Sequence, residues 1–288
     1  EGAANIGCHT VSPQNLCPCD AGHSGVSKIM KLITSKDNPR LKTIRRLAQD
    51  SQAYRKLGLV WLEGDHLCRA ALARGVKPEL AIFSESIWQA SEFEWAQCAS
   101  EVWTVPDDLF AGLSGLESPA KMGFLLTLPL APNLDPQAAT VVLDRLQDAG
   151  NVGAILRSAS AFGFKQVLAI KGTAGLWSPK VLRAGMGAHF GMRLIESASL
   201  EDLQSLEVPL LGTDVHEGPF LHELLKQGQL PQTCAWVMGH EGQGVSPELM
   251  ALVQQKVRIA QPGGEESLNV ATAAAVCLHA SATAGLTA

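Results

Sequence analysis

The 288-residue chain has few aromatic side chains, little charge and no long apolar run. Phe, Trp and Tyr make up 5% of the residues and charged residues 18%, whereas hydrophobic residues reach 46%. Small aliphatic side chains must therefore fill the core, and the composition is typical of a globular protein rather than a disordered one. No uninterrupted apolar run approaches the roughly 18 residues that a membrane span needs. No membrane partner is expected.

Paired cysteines are also missing. The chain has seven cysteines, an odd number, and no C-x-x-C pair. This argues against a disulfide framework and favours a reducing compartment, so we expect a cytoplasmic location. The cysteines and histidines of residues 1–29 match no zinc spacing, and no metal is predicted. These residues lack the features of a secretory signal, and we interpret them as an unstructured tail or an extension upstream of a natural start near Met30.

Positive charge is concentrated in two zones of a chain whose formal net charge is -5. Residues 28–56 hold nine lysines and arginines against two aspartates, and residues 165–193 hold five against no acidic residue. The remainder is strongly acidic. The net charge argues against a polyanionic partner, but this asymmetry leaves two basic surfaces on which one could bind.

The first basic zone contains a predicted helix. Asn38 is a good N-cap, and Pro39 suits the first helical position because its missing N–H is not needed there. One side of this helix is apolar, and the other carries Lys42, Arg45, Arg46 and Gln49. Two interpretations remain open: a solvated surface helix, or a face that contacts phosphates.

The chain is predicted to fold as two α/β units. Short apolar runs alternate with helix-like segments up to residue 130, which indicates a small α/β or α+β domain. Residues 131–139 read as a linker. From residue 140 to 288, six strand-like runs alternate with helical segments, a pattern typical of an open parallel sheet with helices on both faces. Such sheets bind ligands in the loops after the carboxyl ends of their strands.

The first of these loops, "DAGNVGAILRSASAFG", leads into a mostly apolar helix that carries a single arginine, Arg157. Asn151 is a plausible N-cap. The helical neighbours of Arg157 at three and four residues are all small: Gly153, Ala154, Ser160 and Ala161. Another backbone or a ligand can approach such a surface closely. A structural ion pair is the alternative.

The second loop, "VMGHEGQGVSPEL", has the glycine spacing of a phosphate-binding loop without its lysine. Val245 stands where that lysine must be, so nucleoside triphosphate binding loses its main cation. The G-x-G-x-x-G dinucleotide fingerprint is also missing. What remains is a glycine-rich turn that starts at Gly239, carries one carboxylate, Glu241, and precedes a helix that Ser246 can cap.

The third loop, "IAQPGGEESLNVATAAAVCLHA", precedes an alanine-rich helix. We expect Ser267 to cap this helix and Asn269 to lie in its first turn, facing unpaired N–H groups. Capping accounts for Ser267 as well as a functional role does. It accounts less well for Asn269, a poor helix former beside the alanines that follow.

In this order and spacing, the three loops resemble the three motifs of the SpoU (TrmH) family of RNA 2′-O-ribose methyltransferases, in the SPOUT superfamily. The resemblance covers residues from about 140 to 284. Residues 31–130 resemble, more weakly, the family's L30e-like substrate-binding domain. The resemblance implies a C-terminal trefoil knot, S-adenosylmethionine as cofactor, and a homodimer whose active site takes residues from both subunits.

The resemblance also implies roles for individual residues. The expected catalytic set is Arg157, Asn151, Glu241, Ser267 and Asn269. The cofactor is expected between the second and third loops, held largely by backbone groups of Gly239, Ile259 and Leu268. The residues expected to bind RNA are Lys42, Arg45 and Arg46.

The function implied is S-adenosylmethionine-dependent methylation of a ribose 2′-hydroxyl in structured RNA, with ribosomal RNA favoured over transfer RNA. Arg157 is expected to contact the hydroxyl and the adjoining phosphate. The main alternative is a catalytically silent RNA-binding module, for which a broken first or third motif is expected, whereas both are intact here. A dehydrogenase or phosphotransferase would need the nucleotide fingerprints that the second loop lacks.

Overall fold

A computed structural model describes residues 30–90, 99–263 and 267–284. The tail at residues 1–29, including its cysteines and histidines, lies outside the described residues. Within the described part, none of the helices is both long and apolar enough to cross a bilayer.

The first unit contains a mixed five-stranded sheet. Its strands lie in the order β1, β4, β3, β5, β2, and β5 runs in the direction opposite to the other four. The strands are β1 (Met30–Leu32), β2 (Leu59–Glu63), β3 (Leu80–Ser84), β4 (Glu101–Val105) and β5 (Met122–Thr127). The helices are α1 (Pro39–Gln49), α2 (Ala53–Leu57), α3 (Asp65–Ala73), α4 (Glu85–Ala90) and α5 (Asp107–Ala111). The predicted α/β unit is confirmed.

Helix α1 begins as its sequence predicts. The Asn38 side chain accepts hydrogen bonds from the backbone N–H groups of Arg40 and Leu41, and Pro39 is the first helical residue. These bonds satisfy donors that have no partner inside the helix. The apolar side of α1 is buried against the sheet through Leu41, Ile44, Leu47 and Ala48.

The second unit contains a six-stranded sheet in which every pair is parallel. Its order is β11, β9, β10, β6, β7, β8. The strands are β6 (Thr140–Leu143), β7 (Gln166–Ile170), β8 (Arg193–Ala198), β9 (Leu210–Thr213), β10 (Ala235–Met238) and β11 (Gln255–Val257). Each of these strands overlaps one of the six predicted strand-like runs. The inner strands β6, β7, β9 and β10 are mostly apolar because parallel strands inside a sheet are buried on both faces, whereas the edge strands β8 and β11 carry more polar residues.

Helices cover both faces of this sheet. They are α6 (Ala149–Ala161), α7 (Pro179–Gly185), α8 (Leu200–Gln204), α9 (Leu221–Lys226), α10 (Pro247–Met250) and α11 (Val270–Thr283), with a 3₁₀ turn at Ala188–Gly191. One buried cluster packs against α6, α7 and α11, and a second lies on the opposite face with Leu203 and Leu249. The first cluster continues into the five-stranded unit through residues such as Tyr54 and Leu41.

The segment predicted as a linker contains neither helix nor strand, but it is attached to the second sheet. The Asp135 backbone N–H donates to Gln166 Oε1 at 2.8 Å, and Gln166 Nε2 returns a hydrogen bond to the Asp135 carbonyl at 3.1 Å. Leu134 packs against the second buried cluster. The domain limits themselves remain a prediction.

Candidate active site

Three loops meet at one edge of the six-stranded sheet. Strands β6 and β10 are neighbours and run parallel, so the loops that follow them leave from the same edge. The first loop leads into α6 and the second into α10. The third segment, residues 267–269, leads into α11, which packs against α6 and β10. The fold therefore brings together the three segments that the sequence singles out.

A hydrogen-bond network joins all three segments. Glu241 Oε1 accepts from the Asp148 backbone N–H at 3.1 Å and from Asn151 Nδ2 at 3.3 Å, while its Oε2 accepts from the Gln147 N–H at 3.3 Å. Asn269 Nδ2 then donates to Asn151 Oδ1 at 3.0 Å. Asn151 is thus the link between the glutamate of the second loop and the asparagine of the third.

Glu241 stays ionised in this setting. Desolvation by its surroundings acts to raise the pKa of the Glu241 carboxyl, but hydrogen bonds from backbone N–H groups and from Asn151 outweigh it and lower the pKa below its usual value. The carboxylate is an acceptor that orders the first loop, and it does not hold a proton for transfer at neutral pH.

Two predicted helix caps were wrong. Asp148, rather than Asn151, caps α6, and its Oδ1 accepts from the Asn151 N–H at 2.7 Å. Asn269, rather than Ser267, caps α11, and its Oδ1 accepts from the N–H groups of Ala271 and Thr272. Asn269 therefore has two roles, since its oxygen caps the helix while its Nδ2 reaches Asn151. Ser267 is exposed two residues before the cap.

Arg157 is exposed on α6, and within the described part of the chain it makes no hydrogen bond or ion pair. The alternative of a structural ion pair therefore finds no support there. The small residues beside Arg157 serve in part to let two helices of this chain pack closely. Gly153 packs against α7, where a Cβ would overlap Ala184 and lie 2.8 Å from the Val181 carbonyl oxygen. The close approach at Gly153 is made by the same chain.

Sequence reasoning missed Asp144, the residue directly after β6. This side chain is fully buried. Its carboxylate pairs with Arg145 Nε at 2.8 Å and accepts from the Ser246 backbone N–H at 2.6 Å. Burial acts to raise the pKa of Asp144, but the bonds from Arg145 and Ser246 lower it. Arg145 also donates to Gln243 at 3.1 Å, so the first two loops are tied a second time.

The expected cofactor residues lie around the ends of β10 and β11. Gly239 is buried directly after β10, Ile259 is half-buried after β11, and Leu268 is 38% exposed. Between the last two, Gln261 Oε1 is buried without a hydrogen-bond partner in the described residues. A buried acceptor without a donor is costly, so this atom is suited to receive one from a ligand. No feature of the sequence singled out Gln261.

The three cations of α1 that are expected to bind RNA all have partners within the chain. Lys42 pairs with Asp37 at 2.9 Å, Arg46 lies 3.9 Å from Asp50, and Arg45 Nε donates to the Gly112 carbonyl at 2.8 Å. Arg45 therefore helps to hold the end of α5. Exposed pairs of this kind are weak and exchange readily with other anions. Both interpretations of this helix stay open.

Comparison with known proteins identifies the family. Residues 138–279 match the model described as the SpoU rRNA Methylase family, and residues 38–123 match an MRM3-like substrate binding domain. The chain is 27% identical over 254 residues to the 23S rRNA (guanosine(2553)-2′-O)-methyltransferase RlmP of Bacillus subtilis, covering 87% of this chain and 98% of that protein. It is 32% identical over 260 residues to a tRNA/rRNA methyltransferase of Synechocystis that is itself uncharacterized, covering 86% and 92%.

Solved structures agree. A structure of an RNA 2′-O ribose methyltransferase superposes with a TM-score of 0.69 at 28% identity, covering 87% of this chain and 97% of that one. An AdoMet-bound rRNA methyltransferase from Sinorhizobium meliloti has the same fold, with a TM-score of 0.74 at 24% identity over 90% of this chain and 99% of that one. The resemblance seen in the sequence is confirmed: the chain belongs to the SpoU rRNA methylase family.

Proposed function

We propose that this protein transfers the methyl group of S-adenosylmethionine to a ribose 2′-hydroxyl in structured ribosomal RNA. The observation that carries the proposal is the network through Glu241, Asn151 and Asn269, because it assembles the three family motifs into one site. Relatives named as 2′-O-methyltransferases of 23S rRNA support the substrate class.

The residues at the ends of β10 and β11 suit the cofactor. Backbone groups of Gly239, Ile259 and Leu268 would hold it, and the unpaired Gln261 Oε1 would accept a hydrogen bond from its amino groups. When bound, the cofactor supplies a methyl group already activated by a sulfonium centre. The protein therefore needs only to align the acceptor and make its oxygen nucleophilic.

Arg157 supplies the charge that the acceptor oxygen needs. A ribose hydroxyl is a weak acid, and a guanidinium held against the 2′-oxygen and the adjoining phosphate stabilises negative charge as it develops. An arginine side chain keeps its proton at neutral pH. The hydroxyl proton therefore passes to a phosphate oxygen or to water, and Arg157 acts by position and charge.

The remaining members of the catalytic set orient this arrangement. Glu241 holds the start of α6, which carries Arg157, and Asn269 ties the start of α11 to the same point through Asn151. Ser267 is exposed beside Leu268, and its hydroxyl, which has no partner among the described residues, would contact substrate. These side chains align groups and exchange no proton.

Substrate RNA is recognised by the first unit and modified by the second. The ion pairs of Lys42 and Arg46, and the hydrogen bond of Arg45 to the Gly112 carbonyl, would open when phosphates replace their present partners. We further propose a homodimer that shares its active sites, a trefoil knot in the C-terminal chain, and a cytoplasmic location. The dimer accounts for Arg157 on an exposed face, since a second subunit would enclose the site.

Methyl transfer tests the function directly. Methyl-tritiated S-adenosylmethionine is incubated with total RNA from a strain lacking this gene, and the labelled RNA is separated by size and mapped with nucleases. We expect label in one ribosomal RNA at a ribose 2′-oxygen, and a loss of at least about 100-fold in turnover for Arg157→Ala with normal cofactor binding.

The controls separate the role of Arg157 from the function. Lys226→Ala is the surface control. Lys226 is the last residue of α9, from which the chain runs to the start of β10, so it lies away from the carboxyl edge of the sheet that holds the three loops. Wild-type turnover in Arg157→Ala would reject the role of Arg157. Cofactor binding with no label in any RNA would reject the enzyme and favour the catalytically silent RNA-binding module.

A further inference from the structure

A cleft of about 170 Å³ lies where the two units meet, apart from the three motif loops. It is lined by Arg55 of the first unit and by residues 169–173, Glu196 and Ser197 of the second. Strands β7 and β8 end in this cleft, and β6, which leads into the first motif loop, lies next to β7 in the sheet. The cleft and the candidate active site therefore share one edge of the sheet.

The size of the cleft restricts its ligand. Sites that enclose a whole small molecule measure roughly 300 to 1,000 Å³. A volume of about 170 Å³ is too small for a complete cofactor but holds one unit of an extended chain. The position between two domains also suits a chain that runs from one domain to the other.

The charges in the cleft favour an anion. Lys171 is exposed and, within the described residues, has neither a hydrogen-bond partner nor an ion-pair partner. Arg55 Nη2 donates to Glu196 at 2.9 Å and Nη1 donates to Gln52 at 2.7 Å, whereas Nε has no hydrogen-bond partner among the described residues. The Glu196 carboxylate would repel an anion, but its charge is already compensated by donors. Lys171 is therefore the cation of the cleft that has no partner among the described residues.

Glu196 holds the cleft's wall in place. Its Oε1 accepts from the Tyr54 hydroxyl at 2.6 Å, from Arg55 at 2.9 Å and from the Leu176 backbone N–H at 2.7 Å. Two of these donors come from the first unit and one from the second. Glu196 thus fixes Arg55 relative to the sheet edge.

The floor of the cleft is attached to the first motif loop. The Thr173 hydroxyl donates to the Leu143 carbonyl at 3.0 Å, and the Ala174 N–H donates to the Leu146 carbonyl at 2.7 Å. Leu143 ends β6, and Leu146 precedes α6. A group bound above Thr173 would therefore lie one loop away from the start of the helix that carries Arg157.

We propose that this cleft binds a phosphodiester group of the RNA strand that flanks the target nucleotide. Lys171 and Arg55 are its cations, and Glu196 is a positioning residue that acts through Arg55. The inference rests on the proposed function, because a strand recognised by the first unit and modified on the second has to cross their junction. It extends the RNA-contacting surface beyond α1 and Arg157.

The test compares Lys171→Gln, Lys171→Arg and Lys226→Gln in the full chain. The RNA probe is total ribosomal RNA from a strain lacking this gene, used both for methyl transfer and for filter binding at several salt concentrations. A lost phosphate contact should raise the KM and the Kd for RNA by about five- to tenfold, and lower the slope of log Kd against log salt by about one. Turnover and cofactor affinity should stay unchanged.

The outcomes separate this inference from the function on which it rests. Wild-type behaviour of Lys171→Arg and Lys226→Gln, with the expected defect in Lys171→Gln, supports the subsite. Wild-type KM and salt slope in Lys171→Gln overturn it, as does a defect confined to turnover or cofactor binding. If wild-type protein methylates nothing, the proposed function fails, while the salt slopes from filter binding still decide whether Lys171 contacts RNA.

Discussion

Two glutamates of the second unit have similar hydrogen bonding and different tasks. Glu241 accepts from two backbone N–H groups and the Asn151 side chain, all within five residues of one another. Glu196 accepts from Tyr54 and Arg55 of the other unit and from Leu176. Glu241 joins two loops of one unit that are 90 to 94 residues apart in sequence, whereas Glu196 joins the two units through partners more than 140 residues away.

The two carboxylates differ in the contacts that would be lost if each were removed. Without Glu241, the loop ahead of α6 loses its acceptor, and the placement of Asn151 against Asn269 is lost. Without Glu196, the two units keep their apolar contact but lose a polar one. That apolar contact is tight: Gly187, at φ +87°, lies so close to Ala70 that a Cβ there would overlap the alanine. Glu241 therefore connects the motif loops, and Glu196 connects the two units.

The largest expected effect follows from removing Glu241, the carboxylate that connects the motif loops. We expect Glu241→Ala to lower kcat about 100-fold, since a displacement of about 1 Å in an aligned site has a cost of this order. The free energy of unfolding should change little, because the side chain is exposed. Steady-state methyl transfer and thermal unfolding measure the two quantities.

Glu117→Ala is the matched control, since Glu117 is an exposed glutamate of the first unit. It should behave as wild type. A Glu241→Ala variant with wild-type kcat would show that the network through Asn151 does not align the site.

The second effect concerns the junction and depends on pH. His189 lies in the 3₁₀ turn, and its Nε2 is 2.8 Å from the carbonyl oxygen of Leu176, whose N–H donates to Glu196. Burial lowers the pKa of His189 to about 4. Below the pKa of about 6.5 that His189 has in the unfolded chain, the unfolded chain binds a proton that the folded chain does not bind. The free energy of unfolding therefore falls as pH falls from about 6.5 towards 4.

From this linkage we expect the free energy of unfolding to drop by about 2 kcal/mol between pH 7 and pH 5. His189→Gln keeps an amide donor for Leu176 and removes the titrating ring, so its stability should be flatter over the same interval. Urea unfolding at several pH values measures both proteins. Equal pH slopes for the variant and wild type would mean that His189 is not the group responsible.

Sequence reasoning succeeded where a signal is local and failed where it depends on distant contacts. The inner strands of the second sheet are apolar runs bounded by turn residues, and a strand was predicted at each of its six positions. Strand β1 was missed because three residues, "MKL", become a strand only by pairing with β4. Gly187 could not be interpreted either, since its neighbour Ala70 is remote in sequence.

The sequence singled out residues that the structure brings together, but not how they are connected. Asn151, Glu241 and Asn269 were selected correctly as residues that come together, yet two caps were assigned to the wrong residue. Asp148 and Asn151 are both competent caps three positions apart, and the choice depends on where the helical backbone begins. Asp144 was missed because an acidic residue after a strand is ordinary until its burial is known.

The smallest expected effect follows from removing Glu196, the carboxylate at the junction of the two units. We expect Glu196→Ala to lower the free energy of unfolding by about 1.5 kcal/mol, a modest figure because Arg55 is 41% exposed and solvent screens its pair. Glu196→Gln retains an acceptor for Tyr54 and Leu176 and should lose about half as much. Urea unfolding gives these values, while methyl transfer should show a raised KM for RNA with kcat unchanged. A fall in kcat for Glu196→Ala equal to that of Glu241→Ala would instead mean that the junction aligns the reacting groups, and that the two glutamates have one task rather than two.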